Sequence, residues 1–176
     1  MRLFIGIPVK IPIYSEIKKD FEKWIKGKWV EEFNLHVTLL FIGNGNPEEW
    51  KFALPTPIEG RLEIGNLFLL GNRILALKVH HPQLKKWHFF FRERLLVSKS
   101  THPFIPHITL CRLKRVVDYF QLMELIEKWN KELSLKFQRE KLKEKIQIYL
   151  FSSQLTPTGP RYISIYHYPT TTFQLE

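Results

Sequence analysis

The tetrapeptide His36-Val37-Thr38-Leu39 decides the fold, because it returns in the second half of the chain as His107-Ile108-Thr109-Leu110. Each copy lies inside an apolar run rich in β-type residues, which is typical of a strand. The same polar pair at the same spacing in two such runs is a more specific signal than one copy alone. The repeat therefore predicts a chain built from two halves of similar content.

Strand geometry predicts that the polar residues of each copy face the same way. Side chains at positions i and i+2 of a strand point to one face, so His36 projects with Thr38 and His107 with Thr109. The apolar residues between and after them point to the opposite layer. If a pseudo-twofold axis relates the two halves, the four polar groups converge on one cleft.

The rest of the chain predicts helices between strands. The order along the sequence is strand, helix and strands, followed by helix, strand, helix and strands, with a hairpin expected at Gly71-Asn72. This order predicts an α+β fold. Since there is no clear linker, we expect residues 1–176 to form one unit with two lobes.

Local signals predict where individual elements begin and end. Ser15 is expected to cap the first helix, and Gly27 is expected to end it. Asp118 with Gln121 resembles a capping box at the start of a later helix. Residues 133–137 are expected to be extended.

The four polar groups of the repeat suit phosphoryl chemistry. Histidine has its ordinary pKa near neutrality, so His36 and His107 can act as acid and base in one turnover. The hydroxyls of Thr38 and Thr109 can donate to phosphate oxygens without competing as bases. Because an imidazole can activate the attacking water, the predicted site needs neither a metal nor another cofactor.

Simpler interpretations exist for each of these residues. A His-x-Thr pair is often a solvent-facing pair on an antiparallel sheet. A zinc site would need a third protein ligand, and the sequence has no HExxH or Cys/His grouping. Cys111 could continue the Thr109 face of its strand, but no activating base is evident. We interpret Cys111 as a small, partly buried residue.

The composition favours a polyanionic partner. Lysine and arginine number 27 against 17 acidic residues, which gives a net charge of +10. Cations that neutralise phosphates release condensed counterions, so such a surplus favours nucleic acid, although a lysine-rich soluble surface would give the same count. One cysteine fits a reducing cytoplasm, and no apolar run approaches the ~20 residues that span a bilayer.

The sequence around the repeat resembles the 2H phosphoesterase superfamily, which is marked by two His-x-Thr motifs half a chain apart. Within that superfamily it resembles the RNA 2′,3′-cyclic phosphodiesterases, also called 2′-5′ RNA ligases. The resemblance covers the first strand, both motifs and the last hairpin, in residues 2–5, 34–43, 104–112, 153–155 and 159–162.

The resemblance implies a bilobal fold with two antiparallel sheets and flanking helices around a positively charged cleft. It implies hydrolysis of an RNA 2′,3′-cyclic phosphate to a 2′-phosphate, in which His36 protonates the 3′-oxygen and His107 activates water. Thr38 and Thr109 would hold the phosphate, and Arg112 would supply a cation. The reverse reaction would join RNA ends through a 2′-5′ linkage.

Arg112 has the wrong parity to share the Thr109 face of a flat strand. Its implied role therefore requires a β-bulge or the end of the strand at that point. The alternative is a surface cation beside Lys114 and Arg115.

Three aromatic residues are candidates for contact with the substrate. Single-stranded RNA ends are commonly held by stacking of bases on aromatic rings. Phe41 and Phe104 lie beside the two motifs, and Tyr162 lies in the last hairpin. For each of them the alternative is a place in the core.

The expected partner is RNA ending in a 2′,3′-cyclic phosphate, with tRNA halves among the candidates. We expect a cytoplasmic monomer that does not bind membranes. A second hypothesis keeps the chemistry but changes the substrate to a small cyclic phosphate, such as a cyclic nucleotide or an ADP-ribose cyclic phosphate. A third is a non-catalytic RNA-binding module.

Overall fold

A computed structural model of the chain describes residues 1–95, 103–136 and 145–170. The strands are β1 (Arg2–Pro8), β2 (Ile25–Trp29), β3 (His36–Asn44), β4 (Glu63–Leu70), β5 (Ile74–His80), β6 (His107–Val116), β7 (Tyr149–Thr156) and β8 (Gly159–His167). The α-helices are α1 (Tyr14–Phe21), α2 (Leu84–Arg92) and α3 (Tyr119–Lys136), and two short 3-10 helices span Glu32–Asn34 and Pro47–Trp50.

All eight strands belong to one antiparallel sheet, in the order β4-β5-β6-β3-β1-β7-β8, with β2 paired to β6. The sheet has two four-stranded halves, one around β3 and one around β6. The pair Val37–Ile108 joins the two halves. The predicted α+β fold is therefore confirmed, and the two antiparallel sheets that were expected are two halves of one sheet, joined at this pair.

The helices cover one face of the sheet with their apolar sides. Helix α1 buries Tyr14, Ile17 and Phe21, and helix α2 buries Leu84, Trp87 and Phe91. These residues share one hydrophobic cluster with the inward-facing residues of both halves of the sheet. Burial of such side chains contributes roughly 1.5–3 kcal/mol each, so this face holds the two halves together.

The first helix is shorter than its sequence signals predict. It begins after Ile13, which makes no side-chain capping bond, so the prediction of Ser15 as the N-cap is wrong. The prediction that Gly27 ends this helix is also wrong, because Gly27 lies within β2. A Cβ atom at Gly27 would lie 2.2 Å from the carbonyl oxygen of Arg112, so glycine permits the close approach of β2 to β6.

Helix α3 corrects a second prediction. Residues 133–136 are its last residues instead of an extended segment, and residue 137 lies outside the described residues. The helix begins as expected, since the backbone N–H of Gln121 donates to the Asp118 carboxylate at 3.1 Å. The predicted hairpin at Gly71-Asn72 is confirmed by the pairing of β4 with β5. None of the described helices is long and apolar enough to cross a membrane.

Candidate active site

The two His-x-Thr motifs occupy equivalent places in the sheet. His36 is the first residue of β3, and His107 is the first residue of β6. The first six residues of both strands have the same order of buried and accessible side chains. Val37 and Ile108 are fully buried in the core. The histidine and threonine of each motif therefore share the opposite face, as the alternation of strand residues predicts.

The junction between β3 and β6 brings the two motifs together. The strands run antiparallel and pair at Val37 and Ile108. This register places His36 on the side of Thr109 and Thr38 on the side of His107. The four predicted groups therefore meet on one face at the centre of the sheet.

Both imidazoles are oriented by the same hydrogen bond. Nδ1 of His36 lies 2.7 Å from the carbonyl oxygen of Asn34, and Nδ1 of His107 lies 2.7 Å from that of Ile105. A carbonyl only accepts hydrogen bonds, so Nδ1 must carry the proton in each ring. In the neutral state, Nε2 of each histidine is then unprotonated and can accept a proton or a hydrogen bond. Nε2 of His36 also lies 3.0 Å from the Thr38 hydroxyl.

The environment of His36 disfavours its charged form. Burial lowers the pKa of His36 below its ordinary value of 6.5, and the nearby charges of His107 and Arg112 lower it further. The hydrogen bond to the Asn34 carbonyl acts in the opposite direction and is smaller than the burial effect.

A β-bulge follows the first motif. Gly6 of β1 pairs with Thr38. The residue before Gly6 in β1, Ile5, pairs with Leu40. Leu39 therefore has no partner in β1 and is an extra residue on β3. Leu39 and Leu40 are consequently both buried, and the alternation of the strand is reversed after them.

The second motif is followed by the same bulge. Ala76 of β5 pairs with Thr109. Leu75 pairs with Cys111, so Leu110 is the extra residue on β6. Leu110 and Cys111 are both fully buried. The internal repeat therefore extends beyond the tetrapeptide to the backbone geometry that follows it.

The two bulges decide which side chains share the face of the site. After the reversal, Phe41 in β3 and Arg112 in β6 project on the same side as the histidines. This supplies the bulge that the implied role of Arg112 requires. Cys111 points into the core, so the expectation that it continues the Thr109 face is wrong. Burial raises the pKa of the Cys111 thiol to about 12, which leaves it unreactive as a nucleophile near neutral pH.

Aromatic rings enclose His36. The ring of Phe4 lies 4.9 Å from the imidazole between centroids, and the ring of Tyr162 lies 5.2 Å away in an edge-on arrangement. Tyr162 also contacts Phe4 at 4.9 Å. Phe41 lies 5.9 Å from Phe4 and remains more than half exposed. The structure therefore places Phe41 and Tyr162 near His36, and their contact with the substrate stays a prediction.

Phe104 lies elsewhere. Its ring stacks on that of His88 in helix α2, with centroids 4.1 Å apart and planes at 3°. Nδ1 of His88 is in turn 2.6 Å from the Leu39 carbonyl oxygen. Phe104 thus packs against a core helix, as in the alternative interpretation of this residue.

Two features of the site escaped the sequence analysis. A Cβ at Gly6 would lie 2.9 Å from the Val37 carbonyl oxygen and 3.4 Å from Cδ2 of His36. Glycine inside a strand signals such a close approach, so this residue could have been found. Lys78 pairs with His107 across β5 and β6, and its Nζ lies 5.3 Å above the ring of Phe68. A lone lysine carries no sequence signal for that position.

A cavity of about 810 Å³ is lined by residues 59–61, 63, 78–85 and 105–106, so none of the four His-x-Thr side chains lines it. Within the described ranges, no three His, Cys, Asp or Glu side chains come together as a candidate metal site. At the junction, the two imidazoles can transfer protons and the two threonine hydroxyls can donate hydrogen bonds to an anion.

Comparisons with known proteins identify the family of the chain. Residues 7–58, which include the first motif, match the family model described as LigT-like phosphoesterase. A Methanocaldococcus jannaschii protein named RNA 2′,3′-cyclic phosphodiesterase is 31% identical over 92% of this chain and 96% of its own length. An Aquifex aeolicus protein of the same name is 26% identical over 92% of this chain and 93% of its own. The chain belongs to the LigT-like phosphoesterase family.

Solved structures share the fold. Escherichia coli LigT in complex with 3′-AMP matches with a TM-score of 0.62 at 21% identity, over 97% of this chain and 98% of its own. A Thermus thermophilus protein matches with a TM-score of 0.65 at 20% identity, over 96% of this chain and 97% of its own. At these identities, the similarity establishes the architecture of the sheet and helices.

Proposed function

We propose that this protein hydrolyses RNA 2′,3′-cyclic phosphate ends to 2′-phosphates without a metal, using His36 and His107 as an acid–base pair. The observation that carries the proposal is the duplicated orientation of the two imidazoles. Each is held by a hydrogen bond from Nδ1 to a backbone carbonyl, so that Nε2 is available for the reaction. Two imidazoles oriented in this way on one face are more than simple anion binding needs.

In the proposed reaction, water attacks phosphorus and gives its proton to Nε2 of His107. The bond from phosphorus to the 3′-oxygen breaks, and Nε2–H of His36 protonates that oxygen. The product has a 3′-hydroxyl and a 2′-phosphate, and the two histidines then exchange protons with solvent. In-line displacement requires acid and base on opposite sides of the phosphate, which an antiparallel junction between the motifs supports.

The low pKa of His36 fits this role once the substrate is bound. In the free enzyme, burial disfavours the imidazolium. An anionic phosphate beside the ring favours it, because an opposite charge nearby stabilises the protonated form. Binding of the cyclic phosphate would therefore favour protonation of His36, which then donates this proton to the 3′-oxygen.

The remaining side chains on this face would hold the substrate. The hydroxyls of Thr38 and Thr109 would donate to the non-bridging oxygens, and Arg112 would supply a cation beside them. Phe41 is exposed for stacking with a base, and Tyr162 stands against His36.

RNA is supported as the substrate by two observations. The Methanocaldococcus jannaschii relative carries RNA in its name, and the net charge of +10 favours a polyanion. The ends of tRNA halves are candidate substrates. The proposed working form is a monomer in the cytoplasm. The reverse reaction, which joins RNA ends through a 2′-5′ linkage, would use the same two histidines.

The test uses a short RNA with a 2′,3′-cyclic phosphate, incubated with the protein in EDTA. Phosphorus NMR of the product should show a 2′-phosphate. A 3′-phosphate would reverse the assignment of the leaving group. Turnover of small cyclic phosphates but not of RNA would support a small-molecule phosphodiesterase. Salt-dependent RNA binding without any turnover would support a non-catalytic RNA-binding module.

A further inference from the structure

Strand β7 carries aromatic residues on the face of the active site. Tyr149 and Phe151 alternate with Leu150 and Ser152, which are buried on the other face. His167 of β8 pairs with Tyr149. We refer to Phe151, Tyr149 and His167 as the stacking strip.

The rings of the strip are in contact with one another and with the site. Phe151 stacks on Phe4 with centroids 5.1 Å apart and planes at 19°. Tyr149 lies 5.7 Å from Phe151, and His167 stacks on Tyr149 at 4.7 Å and 26°. Because the buried ring of Phe4 also contacts His36, a chain of ring contacts connects the catalytic imidazole with β8, and its partly accessible members are those of the strip.

The pairing of the strands fixes the direction of the strip. Thr38 pairs with Gly6, Gly6 with Tyr149, and Tyr149 with His167. Neighbouring strands lie roughly 4.8 Å apart, so the backbone at His167 lies about 14 Å from that at Thr38. The strip is therefore a continuation of the phosphate site, long enough for more than the terminal nucleotide.

The chemistry of the strip is unusual for this face of a sheet. The side chains of an antiparallel sheet that face away from the core are normally polar, yet Tyr149 and Phe151 are aromatic and only partly buried. Arg2 lies on the same face, opposite Ser153, and its charge reaches Tyr162. Lys28 pairs with Arg112, whose charge also reaches Tyr162. Aromatic rings bordered by cations are the combination that binds single-stranded nucleic acid.

We propose that the stacking strip binds the nucleotides that precede the cyclic phosphate of a single-stranded RNA. The inference rests on the proposed function, because His36 as the acid toward the 3′-oxygen places the terminal ribose on the β3 side of the phosphate. The chain then leaves the site across β1 and β7. Bases of the preceding nucleotides stack on Tyr149 and Phe151, and Arg2 contacts a phosphate.

The experiment compares two substrates with the same 3′ nucleotide, a mononucleotide 2′,3′-cyclic phosphate and a tetranucleotide with that end. The wild-type protein should favour the tetranucleotide in kcat/KM by about tenfold or more, since each base–aromatic stack contributes to affinity. Tyr149→Ala and, separately, His167→Ala should reduce that preference several-fold. His167 is exposed, so its replacement keeps the test valid if Tyr149→Ala does not fold.

Phe120→Ala is the matched control, because Phe120 is an exposed aromatic residue on α3, outside the strip. It should keep the wild-type preference. Equal kcat/KM for the two substrates in the wild type, or an unchanged preference in both strip variants, would overturn the proposal.

A measurement of RNA affinity tests the stacking strip independently of the proposed hydrolysis. The affinity for a fluorescent tetranucleotide 2′-phosphate should fall about tenfold in Tyr149→Ala, whether or not the cyclic ends are hydrolysed. If the wild type hydrolyses neither substrate, the proposed function fails. This affinity alone then tests whether the stacking strip binds RNA. An affinity that does not change would refute the strip.

Discussion

Val37 lies opposite Ile108 where β3 meets β6, and this pair joins the two halves of the sheet. Both side chains are fully buried. Their neighbours on either side, His36 with Thr38 and His107 with Thr109, consequently project to the accessible face. The same contact that holds the halves together thus also assembles the site.

Replacement of either histidine should abolish most of the activity. We expect His36→Ala and His107→Ala each to lower kcat by about 10²- to 10⁴-fold, since each removes one proton transfer. Steady-state hydrolysis of the cyclic-phosphate RNA measures this, and circular dichroism checks the fold. His80→Ala, which changes an exposed histidine at the end of β5, is the control. Near wild-type turnover in either of the first two variants would contradict the pairing.

The hydroxyl groups of Thr38 and Thr109 should matter more for kcat than the volume of the two side chains. Thr38→Val and Thr109→Val remove a hydrogen-bond donor at nearly constant volume, so we expect kcat to fall about 10²- to 10³-fold. Thr38→Ser and Thr109→Ser keep the hydroxyl and should recover much of the activity. If the valine and serine variants behave alike, the hydroxyls do not bind the phosphate.

Arg112→Gln should raise the pKa of His36. The charge of Arg112 lowers that pKa, so its removal makes protonation of the imidazole easier. NMR titration of the His36 ring measures the change. Lys114→Gln, a charge change at an exposed position of the same strand, should move the pKa less. If both variants give the same shift, Arg112 acts only through the net charge.

The dependence of kcat/KM on pH should be bell-shaped, with an acidic limb below the ordinary histidine pKa of 6.5. In such a profile, the lower of the two pKa values sets the acidic limb, and kcat/KM reports the free enzyme. Burial lowers the pKa of His36 below 6.5 in that state. In kcat, the bound phosphate anion should move this limb to higher pH. A flat profile, or an acidic limb that is unchanged in Arg112→Gln, would contradict the assignment.

Gly6→Ala should impair catalysis through the position of His36. The added methyl would lie 2.9 Å from the Val37 carbonyl oxygen and 3.4 Å from Cδ2 of His36. We expect kcat to fall about 10- to 100-fold, because small displacements of a catalytic group are costly. Gly45→Ala is the control, since its methyl would make ordinary contacts of 3.5 Å or more. Wild-type kcat in a folded Gly6→Ala protein would show that the contact does not position His36.

Much of the site could be predicted because its signals are local. The spacing of His36 and Thr38 decides that they share a strand face, and the same spacing recurs at His107 and Thr109. Boundaries of elements were predicted less well. Gly27 was expected to end a helix, whereas its lack of a Cβ serves the contact of β2 with β6, which involves residues far apart in the sequence.

The sequence by itself determined the class of fold, the catalytic pair and the phosphate-binding threonines as candidates, since these depend on residue type and on strand periodicity. The tertiary structure alone decided that Arg112 and Phe41 join them and that Cys111 does not. The reason is the pair of bulges at Leu39 and Leu110, which reverse the alternation of each strand through pairing with β1 and β5. Each bulge is defined by pairing with a strand that is distant in the sequence, so the residues of β3 or β6 alone do not show it.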